Sequence, residues 1–280
     1  MISTIAALWG RRDLIRTLAV SNLKDKHRNT LFGYLWWVLD PLMMTAVYTI
    51  VIGFIRGTGA GQPAFPAFVM CGLLAWKSFA TTISQSINVV SRSEGLIKSF
   101  SFPKAVLPIS LVISNQVLFI FALIPLLALC LFYRFVMGAA ELRPLAATWA
   151  LVPLLVIVQF CLSLGGALMF SCFGVFFKDL GNIMTHILRI VWYLSPGLYP
   201  VSRVLKSDYT GFLQLDWSNF HSIYLLNPFA HLMGGYRDCI MYGHVPDLAG
   251  IGFALGLGVV GIGLGLWVFQ NQERKFAKLV

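Results

Sequence analysis

Long apolar runs separated by short charged joints set the pattern of this chain. Six windows carry at most one charge each: 29–55 (Asp40), 64–91 (Lys77), 105–133, 144–177, 180–202 (Arg189) and 248–272. Each is long enough for the roughly 20 residues that cross a ~30 Å hydrocarbon core. None alternates polar and apolar positions in ten-residue strands, so a membrane barrel is excluded. A backbone in lipid must bond to itself, so each window predicts a spanning helix.

Two further segments have patterns of their own. Residues 11–28 are charged and periodic. Leu14 and Leu18, and Ile15, Ala19 and Leu23, fall at i, i+4 spacings, while Arg12, Arg16, Lys24, Lys26 and Arg28 supply a cationic remainder. This suits a helix lying in the plane of anionic headgroups; a plain basic tail beside the membrane is the competing reading. The loop 201–247 holds no charged residue between Trp217 and Tyr236. Asn227-Pro228 predicts a helix start, by N-cap and first-turn preference, and Gly243 its stop. With a shorter apolar helix near 212–226 before it, the loop reads as a re-entrant hairpin. A solvent-exposed hairpin would leave Phe220, Ile223, Tyr224, Leu225, Leu226 and Phe229 as a wet apolar patch.

Composition narrows the class. Of 280 residues, 58% are hydrophobic and 11% charged, against about a quarter charged in a soluble domain. A polar surface cannot cover so much apolar chain, which excludes soluble and disordered classes. The five cysteines have no CxxC spacing, and four lie in apolar runs, so they read as small core residues rather than metal ligands or bridges. With both termini inside, the cytoplasmic joints carry about twice the Lys and Arg of the outer ones, which orients the chain. The same bias accounts for the net charge of +10 with no nucleic acid as partner.

Chemistry is conspicuous in what the sequence lacks. There is no Gly-x-x-x-x-Gly-Lys-Ser/Thr phosphate loop, no His-Glu-x-x-His, no Gly-x-Ser-x-Gly and no intramembrane carboxylate pair. No catalytic residue and no metal site is therefore assigned. Three intramembrane charges call for partners or a function. Asp40 and Arg189 lie at similar depth, which allows them to pair; Lys77, near mid-membrane, faces an aqueous path or snorkels. Gly252-x-x-x-Gly256 and Gly261-x-x-x-Gly265 allow close helix approach. In the inner loop 92–104, Leu96, Ile97 and Phe100 form a small apolar face, and Glu94 and Lys98 an i, i+4 ion pair, as in a short helix that docks in a partner's groove. The aromatics of the spans fit interfacial anchoring or the walls of a sugar conduit, since their faces stack on sugar rings.

Several strings then come together in order. They are Leu31-Phe-Gly-Tyr-Leu-Trp-Trp-Val-Leu-Asp-Pro41, Phe65-Pro-Ala-Phe-Val-Met-Cys-Gly-Leu-Leu-Ala-Trp76 and Leu96-Ile-Lys98. Phe102-Pro-Lys-Ala-Val-Leu-Pro108, Phe177-Lys-Asp179, Ser195-Pro196 and Asn227-Pro-Phe229 ahead of Arg237 complete them. The whole chain resembles the membrane subunit of type-2 ABC exporters of cell-surface polysaccharide, the branch that moves O-antigen, teichoic acid or capsule.

The resemblance implies an all-α integral membrane protein with six transmembrane helices in one permease domain, 1–280. Its parts are an interface helix (1–33), spans one to five (34–200), an outer gate hairpin (201–247), and span six with a cytoplasmic tail (248–280). It implies a homodimer forming the channel and two copies of a separate ABC ATPase holding ATP and magnesium, so that this chain has no cofactor of its own. The cargo is a lipid-linked polysaccharide, O-antigen first and teichoic acid or capsule as the alternative, exported across the plasma (inner) membrane with both termini cytoplasmic. Glu94, Leu96, Ile97, Lys98 and Phe100 would couple to the ATPase. Tyr34, Trp36, Trp37, Tyr48, Trp192 and Tyr193 would line the glycan channel. Arg11, Arg12 and Arg16 would hold the carrier's diphosphate, with membrane lipids competing for them. Phe220, Tyr224, Asn227, Pro228 and Phe229 would form the outer gate. A secondary transporter would instead show an internal repeat with midplane charges, and a membrane-embedded enzyme would show acidic or metal-binding groups.

Overall fold

Every regular element among the described residues of the computed structural model is helical. The description covers residues 7–25, 32–56, 64–201 and 224–279, without the side chains of residues 34, 37, 53–56 and 273–279. Its helices are α1 (Arg12–Asp25), α2 (Trp36–Arg56), α3 (Phe65–Ser86), α4 (Val89–Arg92), α5 (Glu94–Ser99), α6 (Val106–Phe135), α7 (Val152–Phe176), α8 (Leu180–Leu194), α9 (Pro228–Arg237) and α10 (Leu248–Leu279). Single 3-10 turns, Gly33–Leu35 and Ala147–Leu151, lead into α2 and α7. A π-helical turn, Asp238–Tyr242, continues α9.

Four helices among the described residues are long and apolar enough to cross a membrane: α3, α6, α7 with its leading turn, and α10. At 1.5 Å per residue α3 rises about 33 Å and α6 about 45 Å. The other two windows give shorter apolar helices. In α2 the apolar stretch is Val38–Ile52. In α8 there are 15 residues, rising about 22 Å. The cause in α8 is local: Pro196 pushes Ser195 out of helical geometry, to φ −93° and ψ 153°.

α3 is the hub. It packs against α2, α6, α7, α8 and α9, and its half from Phe65 to Trp76 is buried on nearly every side. Polar side chains tie it in, because an unpaired one inside the bundle is costly. Asn115 on α6 donates to Thr82 Oγ1 (3.0 Å) and Gln85 Oε1 (3.2 Å), and Gln159 on α7 donates to the carbonyl of Ala75 (3.2 Å). Gln116 donates to the carbonyl of Val156 (3.2 Å), joining α6 to α7.

The most extensive pairing is α7 with α10, and glycine permits it. A Cβ at Gly165 would sit 2.9 Å from the Gly261 backbone, and one at Gly258 would meet Cys161 at 2.8 Å. The seam runs through Gly258, Gly261 and Gly265, following the 3.6-residue period. Of the two small-residue motifs, Gly261-x-x-x-Gly265 lies on this seam, whereas Gly252 and Gly256 face open space.

Candidate functional site

One end of the bundle is built around one buried cation. Asn227 caps α9: its side chain accepts from the Phe229 amide at 3.0 Å, and Pro228 fills the first turn. Gly243 closes the following turn with φ +68°, a left-handed geometry that suits glycine. These local signals were all legible in the sequence. The cap also reaches across, Asn227 Nδ2 donating to Ser195 Oγ at 2.9 Å. One helix later Arg237, 3% exposed, donates to the carbonyls of Pro196 (2.5 Å), Gly197 (2.7 Å) and Phe68 (3.4 Å). Its guanidinium stacks over the Phe68 ring at 3.6 Å, a cation–π contact. Burial pulls it down to about 10, so it stays charged at neutral pH. Gly72 leaves it room, since a Cβ there would come within 3.1 Å of the Gly197 carbonyl and closer still to the guanidinium. Arg237 thus fastens together three of the strings that carried the family resemblance. Sequence reasoning named it only as the residue that follows the Asn227-Pro-Phe229 string and gave it no role. The signal for it was its place at the end of the charge-free stretch 217–236.

Below this anchor lies an aromatic groove of about 280 Å³ between α2, α3 and α8, walled by Met44, Tyr48, Leu73, Trp76, Ala80 and Leu188, with Lys77, Arg189 and Trp192. Trp192 meets Tyr48 (centroids 6.0 Å) and Trp76 (6.1 Å). Phe229 of α9 packs edge-on against Trp76 (5.0 Å) and tilted against Phe79 (4.6 Å). The structure therefore brings Tyr48 and Trp192 together, and adds Trp76, Phe79 and Phe229, which the sequence assigned to an outer gate. Trp36 lies apart, against Phe32 at 5.6 Å, and Tyr193 is exposed. The side chains of Tyr34 and Trp37, and all of Phe220, lie outside the described residues. Tyr224 is buried beside α9.

The Asp40–Arg189 pair that similar depth allowed is not formed. Asp40 pairs with Lys77 instead. Depth alone does not distinguish the two cations. Connectivity does: α2 and α3 are sequence neighbours packed side by side, which sets Asp40 against Lys77, and Arg189 lines the groove from α8.

Away from this anchor, α1 turns its apolar positions onto the chain itself. Leu14, Ile15 and Leu18 pack on Phe102, Val106 and Leu107, and Ala19 is buried. The amphipathic face was legible in the sequence; what covers it is protein rather than lipid. Leu96 and Ile97 join the same cluster, and Ile97 also touches the cluster holding Leu168, Cys172, Leu266 and Phe269 of α7 and α10. Of the five residues expected to meet the ATPase, Phe100, 66% exposed, and the paired Glu94 and Lys98 face outward. The outward face of α5 is thus smaller and more polar than spacing suggested, because Leu96 and Ile97 are consumed as core. Arg11 lines an open groove with Gly10, Ser101, Phe102 and Pro103, and Arg12 and Arg16 are exposed nearby. Among the described residues no group of His, Cys, Asp and Glu is arranged to hold a metal.

An all-helical bundle with four helices long and apolar enough to cross a bilayer is the architecture of a multi-pass membrane protein. Residues 13–241 match the description of ABC-2 type transporters, and the chain belongs to that family. It is similar to the O-antigen export system permease protein RfbA of Myxococcus xanthus, 28% identical over 283 residues and 100% of both chains. A protein of the same name in Klebsiella pneumoniae is 25% identical over 96% of this chain and 95% of its own. The polysialic acid transport protein KpsM of Escherichia coli is 20% identical over 92% of this chain and 93% of its own.

Proposed function

We propose that this chain is the channel-forming membrane subunit of an ATP-driven exporter that moves lipid-linked polysaccharide, O-antigen first, out of the cytoplasm. The observation that carries the reading is the groove of Tyr48, Trp76 and Trp192 closed on one side by Phe229 of the gate hairpin, in a chain that matches O-antigen export permeases end to end. Aromatic faces suit the apolar faces of sugar rings. Teichoic acid and capsule are the alternatives within the same class, the second supported by the likeness to a polysialic acid transporter.

In this reading α2 and α8 complete six spans, with α8 prolonged by the turn at Ser195–Pro196. Two copies enclose the conduit in the inner membrane, and both termini are cytoplasmic, as the Lys and Arg bias supports. ATP and magnesium belong to two copies of a separate ATPase. Its closure presses on Phe100 and the Glu94–Lys98 pair. Ile97 passes the displacement to α7 and α10, and Leu96 passes it to α1 and α6, because each touches the corresponding cluster. Arg11, Arg12 and Arg16 receive the carrier's diphosphate at the inner surface. Cargo then moves past the aromatic groove and the anchored hairpin.

Depletion of the chain in its own cell tests this. Surface polysaccharide should fall while polymer on its lipid carrier accumulates inside. Unchanged surface polysaccharide, with no internal accumulation, would overturn the reading.

A further inference from the structure

The groove holds charge as well as rings. Lys77 and Arg189 both line it beside Tyr48, Trp76 and Trp192. Asp40 offsets Lys77, and among the described residues Arg189 has no acidic partner, which leaves one net positive charge. Arg189 is exposed on the groove wall, and a cation on the lipid-embedded face of a bundle is costly unless it meets water or an anion. The guanidinium matches a carboxylate or phosphate with two parallel donors. The rings alongside match a sugar face. No acceptor-rich side chain competes for Arg189 on the groove wall, whose other members are apolar or aromatic apart from Lys77.

We propose that this groove is an anion-selective sugar subsite, in which Arg189, assisted by Lys77, takes the carboxylate or phosphate of a passing saccharide while half-buried Tyr48, backed by the buried Trp76 and Trp192, meets its ring. The proposal rests on the polysaccharide reading above and deepens it: the exported chain, or the carrier end that leads it, bears an anion at the spacing of a sugar ring. Asp40 holds Lys77 to one side of the groove, so that the guanidinium makes the primary contact.

The test uses the full chain, purified in lipid nanodiscs with whatever subunits accompany it, and calorimetric titration with three probes. These are a glucose oligosaccharide, a matched oligosaccharide bearing glucuronic acid, and farnesyl diphosphate. The glucuronate probe should bind at least about tenfold tighter than the neutral one, the ratio a single charge-assisted hydrogen bond supplies. Arg189→Gln should erase that preference and leave neutral affinity within about twofold, and Arg189→Lys should restore part of it. A preference seen only with farnesyl diphosphate, and lost in Arg189→Gln, upholds the anion site and assigns the anion to the lipid carrier. Equal affinity for all three probes, or a preference that survives both Arg189→Gln and Lys77→Gln, overturns the subsite while leaving the polysaccharide reading intact. Absence of binding by all three probes overturns both.

Discussion

Arg237 is fixed by backbone rather than by a carboxylate. Its three acceptors are 40, 41 and 169 residues away in sequence and all are carbonyl oxygens. Patterns of side chains do not reveal such partners, so the residue was legible only as a charge. The cap at Asn227 and the stop at Gly243 were legible because their geometry is settled within three residues. Arg237→Met should leave buried carbonyls unpaired at about 1–3 kcal/mol each. The expected result is a markedly lower unfolding midpoint in detergent, read by fluorescence-detected size exclusion after heating. Gly72→Ala should weaken the same anchor by crowding the guanidinium and the Gly197 carbonyl, at about 1–3 kcal/mol for an overpacked contact. The Asp40–Lys77 pair carries its own prediction. Asp40→Asn and Lys77→Gln should each lower the unfolding midpoint, and the exchanged pair Asp40→Lys with Lys77→Asp should recover most of it. A pair without structural weight would show no such recovery.

Helices show where periodicity stops being informative. The apolar face of α1 and the Leu96 and Ile97 part of that of α5 are covered by their own chain, while Phe100 stays exposed, since one sequence reports which side is apolar and not what lies against it. That difference separates two variants. Phe100→Asp should leave folding intact and reduce export per ATP hydrolysed. Leu96→Asp and Ile97→Asp should instead lower the yield of folded protein, because they place a charge in the clusters joining α1, α6, α7 and α10. A Phe100→Asp protein with normal coupling would remove α5 from the transmission path. The glycine-rich α10 makes the same point. Both of its small-residue motifs were legible, but only the half facing Cys161, Gly165 and Leu168 is in contact. Gly261→Leu should drive α7 and α10 apart and destabilise the fold, whereas Gly256→Leu, facing open space, should be tolerated. A thermal-shift comparison of the two checks this.

At the scale of the whole molecule, composition alone placed the chain in lipid, and the order of short motifs placed it among exporters. The Ser195-Pro196, Phe65–Trp76 and Asn227–Arg237 strings, scattered in sequence, converge on one anchor at Arg237. Tyr48 and Trp192 converge with Trp76 on one groove below it. The pairing of Asp40 was not legible, because two cations lie at comparable depth and only the packing of α2 on α3 selects Lys77. The central claim is that this chain carries no motor and works as the membrane half of an ATP-driven exporter. The most direct measurement is to capture the tagged chain from its native membrane in mild detergent, identify its partners by mass spectrometry and assay ATP hydrolysis. The account predicts a soluble ATPase with a phosphate loop, in equal stoichiometry, and hydrolysis that is lost when that ATPase is stripped away. A chain that purifies alone from fully active membranes, without ATPase activity at any detergent concentration, would contradict it.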